Sequence, residues 1–299
     1  PFALATNWAD KNDFSGRFLS LRAELVTIDL TPSLGWQVSE NFSVGASLVV
    51  RLSQVELLRR APTVNPFTNG VQDVASVFLE SDLDTGVGAA FGLLHKVNDR
   101  FSWGLSYRSR IEVDYEGDGR LTQISTGNAQ LDAIVAGSLP FDTDLPLETS
   151  IEFPDMASLG FAFQVTDRTL VEIDVNWTGW SSFDRVDLEF ATAPDLTTEL
   201  IQDYDDVYNY RIGVAIDTDR GTQWRFGALY DETPQPEETT GPLLPDADRI
   251  GGTIGWGNER LDLALMYLDF DERTTTTNRE NFFGTYKTEV WLFGATLKF

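Results

Sequence analysis

From Val290 to Phe299 the chain alternates: Trp291, Phe293, Ala295, Leu297 and Phe299 share one face, and Leu292, Gly294, Thr296 and Lys298 the other. Successive side chains of a strand point to opposite faces, so such a segment has one greasy surface and one mixed surface. The longest instance is Phe101 to Glu116. There Phe101, Trp103, Leu105, Tyr107, Ile111, Val113 and Tyr115 fall on odd positions, with Ser109 the exception, while Arg108, Arg110, Glu112, Asp114 and Glu116 fall on even ones. A soluble sheet buries its apolar face. Here one face carries charges of both signs and aromatics edge the other, the pattern of a strand between lipid and a wet lumen. The segments built on Val26, Ile28, Leu30, Leu34 and Trp36, on Val171, Ile173, Val175 and Trp177, on Tyr208, Tyr210, Ile212, Val214 and Ile216, and on Trp224, Phe226, Ala228 and Tyr230 repeat it.

Tight turns (Ser39 to Asn41, Asn98 to Arg100, Thr166 to Arg168, Asp217 to Gly221, Gly257 to Glu259) alternate with long connections (Asp10 to Arg22, Ala61 to Leu79, Leu121 to Leu147, Ala193 to Asp203, Thr233 to Pro245, Thr274 to Gly284). Short turns on one rim and long loops on the other define the polarity of outer-membrane barrels, with the long side extracellular. Between these connections twelve strands are expected, at 1–9, 23–38, 42–60, 79–97, 100–120, 146–165, 169–192, 204–217, 222–232, 246–256, 260–272 and 285–299. The fold class predicted is therefore all-β: one antiparallel transmembrane β-barrel over residues 1–299. Several strands are longer than a bilayer needs and should project beyond it.

Two loops are not merely polar. Leu131, Ile134, Val135 and Leu139 recur at helical spacing between Gln130 and Leu139, which predicts a short amphipathic helix, and the loop from Pro62 adds Val64, Pro66 and Phe67. Such residues either make a landing surface for a greasy ligand or pack on one another to fold the loop down.

Composition narrows the class. No apolar run reaches the roughly 18 to 20 residues of a spanning helix, so membrane residence requires a closed barrel. There is no cysteine, which excludes disulfides and thiolate metal sites. The net charge of −25, from 47 acidic and 22 basic residues, repels phosphates and argues against nucleic acid. Loop carboxylates such as Asp203, Asp205, Asp206, Glu237 and Glu238 suit a divalent-bridged lipopolysaccharide leaflet or simply keep long loops soluble.

Enzymatic readings find little support. A barrel-embedded hydrolase needs a nucleophile with a general base, and the one histidine, His95, lies beside a tight-turn rim on the apparent lipid face, where an interfacial role is the simpler reading. No nucleotide motif, cofactor motif or metal-ligand spacing is present. A general aqueous porin fits the mixed charges Arg108, Arg110, Glu112 and Asp114, but fits poorly the aliphatic lumen positions Leu25, Leu229 and Leu292.

The chain resembles the long-chain fatty acid transport proteins of Gram-negative outer membranes, the FadL and TodX type of hydrophobic-compound channel. The resemblance rests on Pro1 to Trp8, Gly104 to Ser109, Trp177 to Asp184, Arg225 to Pro234, Pro245 to Arg249 and Trp291 to Gly294, in family order from end to end. It implies a family barrel of fourteen strands, of which this chain starts at the third and lacks the N-terminal plug and the first two. It also implies a monomer that passively carries a fatty acid or hydrocarbon, with no cofactor. In the family, loops corresponding to 61–79 and 121–147 form an apolar capture groove, here with Phe67, Leu131, Ile134, Val135 and Leu139. A lumen pocket then holds the head group near Arg59 and Asp231, and the alternation independently places Asp231 and Arg249 on the lumen face. The family's lateral gate, a kinked strand opening to the bilayer, corresponds to Phe2, Ala3 and Ala5.

Overall fold

A computed structural model describes residues 3–8 and 12–298, so Phe2 lies outside the described residues. Eighteen strand segments form one antiparallel sheet. Six pairs of segments run end to end along the same neighbour, which reduces the eighteen to twelve wall strands. These are β1 (Ala3–Asn7), β2 (Arg22–Leu30, then Ser33–Ser39), β3 (Phe42–Val64), β4 (Val71–Ser81, then Asp84–Asn98), β5 (Phe101–Arg108, then Ile111–Gln123) and β6 (Asp144–Phe153, then Met156–Thr166). There follow β7 (Thr169–Thr178, then Arg185–Phe190), β8 (Thr198–Ile201, then Val207–Asp217), β9 (Gln223–Asp231), β10 (Arg249–Gly257), β11 (Leu261–Phe270) and β12 (Glu289–Leu297). Each pairs with the next in the chain, the up-and-down order of a barrel wall. Among the described residues β12 has no ladder with β1 or β2. Among the described residues no helix is long and apolar enough to cross a membrane.

The outward face of the lower wall is apolar, as the alternation predicts. In β9 Trp224, Phe226, Ala228 and Tyr230 are exposed, while Gln223, Arg225, Leu229 and Asp231 are half-buried toward the lumen. Aromatic rows edge the belt: Phe101 stacks on Phe163, and His95 stands between Phe42 and Trp103, accepting a 3.2 Å hydrogen bond from the indole. That contact accounts for His95 as an interfacial residue.

Higher up, the polarity of the wall reverses. At 23 residues β3 is about 75 Å long, whereas the hydrocarbon is about 30 Å thick. A strand clear of the lipid must turn its apolar face inward. The continuous stripe read from Phe101 to Glu116 is accordingly broken at Ser109 and Arg110. Leu105 and Tyr107 are exposed below the break, but Ile111, Val113 and Tyr115 are at most 1% exposed above it, and Glu112, Asp114 and Glu116 face out. Those three carboxylates therefore do not line a wet lumen, which corrects the expectation from alternation alone. The ladder between β4 and β5 is interrupted here, and β5 folds onto β4. A Cβ on Gly86 would sit 2.4 Å from the Glu112 carbonyl oxygen, so this close approach requires glycine.

Inside, the upper halves of β2 to β7 enclose a core that includes Ala23, Leu57, Leu79, Val113, Leu147, Ile151, Phe153, Val186 and Leu188. At its base Arg51, 1% exposed, holds Asp29 in a two-pronged pair of 2.8 and 2.9 Å, and Arg108 reaches the same carboxylate at 2.6 Å. The Arg51 guanidinium lies 4.5 Å from the centre of the Phe153 ring, and Ser53 and the Tyr115 hydroxyl are 2.6 Å apart. These contacts tie β2, β3, β5 and β6 together across the interior.

The expected loop 61–79 is mostly strand. β3 runs to Val64 and β4 restarts at Val71, leaving a turn at 65–70, and a register shift at Ala61 and Pro62 accommodates the proline's missing N–H. The expected helix is present as α1 (Ala129–Ala136), capped by the Asn128 side chain on the amides of Gln130 and Leu131.

Candidate functional site

Two cavities lie inside the upper wall and share Leu4, Leu25, Ile151, Phe183 and Leu244 in their linings. The first, about 110 Å³, is an almost wholly apolar chamber between Leu57, Leu79, Leu147, Val186, Leu188 and Leu243. The second, about 540 Å³, is apolar where it meets the chamber and polar at its far side.

Strand register builds the polar side. Asn176 of β7 pairs with Asn209 of β8, Asn209 with Asp231 of β9, and Asp231 with Arg249 of β10, so four polar side chains form one row around the wall. Arg249 donates to Asp231 at 2.8 Å and to Asp246 at 2.9 Å, so its charge is matched by two carboxylates. Burial raises the Asp246 carboxyl above the ordinary range, and the Arg249 charge pulls it back. Arg211, one step below the row, donates to the Asn209 side-chain oxygen at 2.6 Å and forms no ion pair with a carboxylate among the described residues. The other acids of the lining are engaged elsewhere: Glu152 pairs with Arg110 at 3.1 Å, and Glu232 accepts from the Tyr208 amide at 3.0 Å. Arg211 is thus the guanidinium of this lining with no ion-paired carboxylate among the described residues; it is exposed to the lumen, and Asp174 stands opposite it in the ladder.

Loop 233–248 forms part of the lining through Pro234, Leu243, Leu244, Pro245 and Asp246. The neighbouring loop clamps it. Glu237 accepts from the Thr276 hydroxyl at 2.7 Å and from the Thr276 and Thr277 amides; Asn278 donates to the Thr240 carbonyl at 2.6 Å; Arg273 donates to the carbonyls of Gln235 and Asp246 at 2.6 and 2.9 Å. The hydrogen bonds from Thr276 and Thr277 hold the Glu237 carboxyl at about 2. A carboxyl lowered on folding stabilises above its unfolded value of about 4.3 and loses that contribution as pH falls toward the folded value. Protection of the Thr276 and Thr277 amides from hydrogen exchange should therefore hold from about pH 7 to 5 and fall below about pH 4, and Glu237→Gln should abolish the pH dependence.

Of the residues expected at the site, Asp231 and Arg249 meet at the second cavity. Arg59, opposite Val77 near the top of β3, lines neither cavity. Leu131 and Val135 are buried against Val74 with Leu139 and Phe141 beside them, so they hold α1 to β4, while Ile134 and Phe67 are more than half exposed on the rim. Ala3 and Ala5 sit in a regular ladder with Val26 and Glu24. Alternation puts Leu25 in the lumen, and Arg211, between the outward Tyr210 and Ile212, falls on the polar face by the same period, but alternation brings neither beside the site. Leu4, Phe183 and Leu244 carried no signal, because only long-range pairing brings them together.

An up-and-down antiparallel wall with an apolar belt outside and an apolar chamber inside defines an outer-membrane channel for hydrophobic compounds. The sequence matches, over residues 1–299, the family described as outer membrane protein transport protein (OMPP1/FadL/TodX), and the chain belongs to that family. It is 22% identical over 325 aligned positions to a long-chain fatty acid transport protein of Escherichia coli O6:H1, covering 100% of this chain and 71% of the relative. Its fold is similar to the crystal structure of a Pseudomonas aeruginosa FadL homologue, with a TM-score of 0.81, 24% identity and coverage of 99% and 70% of the two chains. It is also similar to the Pseudomonas putida toluene transporter TodX, with a TM-score of 0.63, 18% identity and coverage of 92% and 69%.

Proposed function

We propose that this chain passively carries long-chain, carboxylate-bearing amphiphiles across the outer membrane. The tail lies in the apolar chamber and the head group beside Arg211. Phe67 and Ile134 on the rim make the first apolar contact, and the ligand leaves sideways past β1, where Leu4 faces both cavities. The observation that carries this reading is the adjacency of an apolar chamber to a polar cavity holding a guanidinium without an ion pair among the described residues. Each buried methylene contributes about 0.8 kcal/mol, so the end of a long tail, about four methylenes, gains by entering the chamber instead of a wet lumen. No energy input is required.

Arg211→Gln tests the head-group role. A charge-assisted hydrogen bond contributes about 1.5–3 kcal/mol, so affinity for oleate should fall roughly 10- to 100-fold, while affinity for a fatty alcohol of equal length stays unchanged. Equal affinities for oleate in the variant and the parent would remove Arg211 from the site. A second reading, uptake of uncharged hydrocarbons, is favoured by the chamber alone, and predicts toluene binding that Arg211→Gln does not alter.

A further inference from the structure

Loop 233–248 is fastened to β1 as well as to its neighbouring loop. The Thr6 hydroxyl donates to the Leu243 carbonyl at 3.3 Å and the Trp8 indole N–H donates to the Pro242 carbonyl at 2.8 Å, although more than 230 residues separate the partners in sequence. Trp8 stacks on Phe14 at 4.8 Å, and a Cβ on Gly16 would sit 2.7 Å from the Pro242 ring, so the loop is seated tightly on this surface. Pro242 is fully buried. The next two residues, Leu243 and Leu244, form part of the chamber lining, and Leu4, two residues before Thr6, lines both cavities.

The same short stretch therefore closes one side of the chamber and holds the strand beside which ligand would leave. The geometry points to a coupled lid: lifting 242–244 to admit a hydrophobic tail withdraws the carbonyl acceptors of Thr6 and Trp8, and so releases β1 from the loop in the same movement. This rests on the cavities being the ligand site. A bound tail that fills the space of Leu243 and Leu244 favours the lifted state, because the lid and the tail compete for the same apolar wall. The clamp holds the loop on both sides of this stretch, Asn278 at the Thr240 carbonyl and Arg273 at the Asp246 carbonyl, so the lid is confined to the residues between them.

The chain has no cysteine, so Thr6→Cys with Leu243→Cys would introduce the sole thiols. Uptake of radiolabelled oleate by cells carrying the oxidised double variant should fall by at least about tenfold and return on reduction, with single-cysteine variants indifferent to oxidant. Oleate loaded before oxidation should slow formation of the disulfide, because the bound tail holds position 243 away from position 6. Trp8→Phe keeps the ring stack and removes the N–H, so it should speed release of bound oleate by about 2- to 10-fold whether or not the thiols join. Uptake at the parental rate by the joined protein, or parental release from Trp8→Phe, with oleate binding intact, would overturn the coupling. Failure of the purified parent to bind oleate at all would instead overturn the assignment of the cavities, and the lid with it.

Discussion

Asp29→Ala should cost the barrel about 3–5 kcal/mol, the range for breaking a buried ion pair by removing one partner. The carboxylate is 5% exposed and joins Arg51, itself 1% exposed, to Arg108, so its loss takes the shared counter-charge from two guanidiniums in a site with little water. Unfolding by urea in lipid bilayers, read by tryptophan fluorescence, should show the midpoint displaced. Adding Arg51→Met, which removes the buried charge and keeps packing against Phe153, should recover most of the loss. A midpoint unchanged in Asp29→Ala would mean that the pair does not help to hold the four strands together.

Leu25→Trp should have the largest effect on ligand. Leu25 lines both cavities, so an indole there narrows the passage between chamber and polar cavity. Excluding about four methylenes from the chamber removes about 3 kcal/mol, or roughly 100-fold in affinity for a long-chain fatty acid. A six-carbon acid, whose tail ends before the chamber, should bind the variant and the parent alike. The chain-length dependence is the readout, because general misfolding would weaken both ligands together. Thermal unfolding of the variant in detergent checks that the wall is intact.

The lower wall was legible because lipid and lumen impose opposite demands on alternate positions. Val26, Ile28, Leu30, Leu34 and Trp36 are all exposed on the face that alternation assigned to lipid. The upper wall was not legible in the same way. A two-residue period says that Ile111, Val113 and Tyr115 share a face, but whether that face meets lipid or the interior depends on where the strand leaves the bilayer, which no local pattern records. Residues 71–79 fall inside the connection expected at 61–79, and the strand found there draws its order from pairing with β3. The polar row was half visible: Asp231 and Arg249 fell on the right face, but the alignment of Asn176, Asn209, Asp231 and Arg249 requires register across four strands. The role of loop 233–248 depends on contacts with β1 from the opposite end of the chain.

The most direct test of the chamber as the ligand site is photolabelling of the protein, in outer-membrane vesicles, with a long-chain fatty acid carrying a diazirine at the tail end, followed by peptide mapping. Saturable labelling of chamber residues such as Leu25, Leu147, Leu188 and Leu243 is expected, competed by unlabelled oleate and lost in Leu25→Trp. Labelling confined to the outward belt, at residues such as Tyr208, Trp224 and Phe226, without saturation, would contradict it and leave the chamber as packing alone.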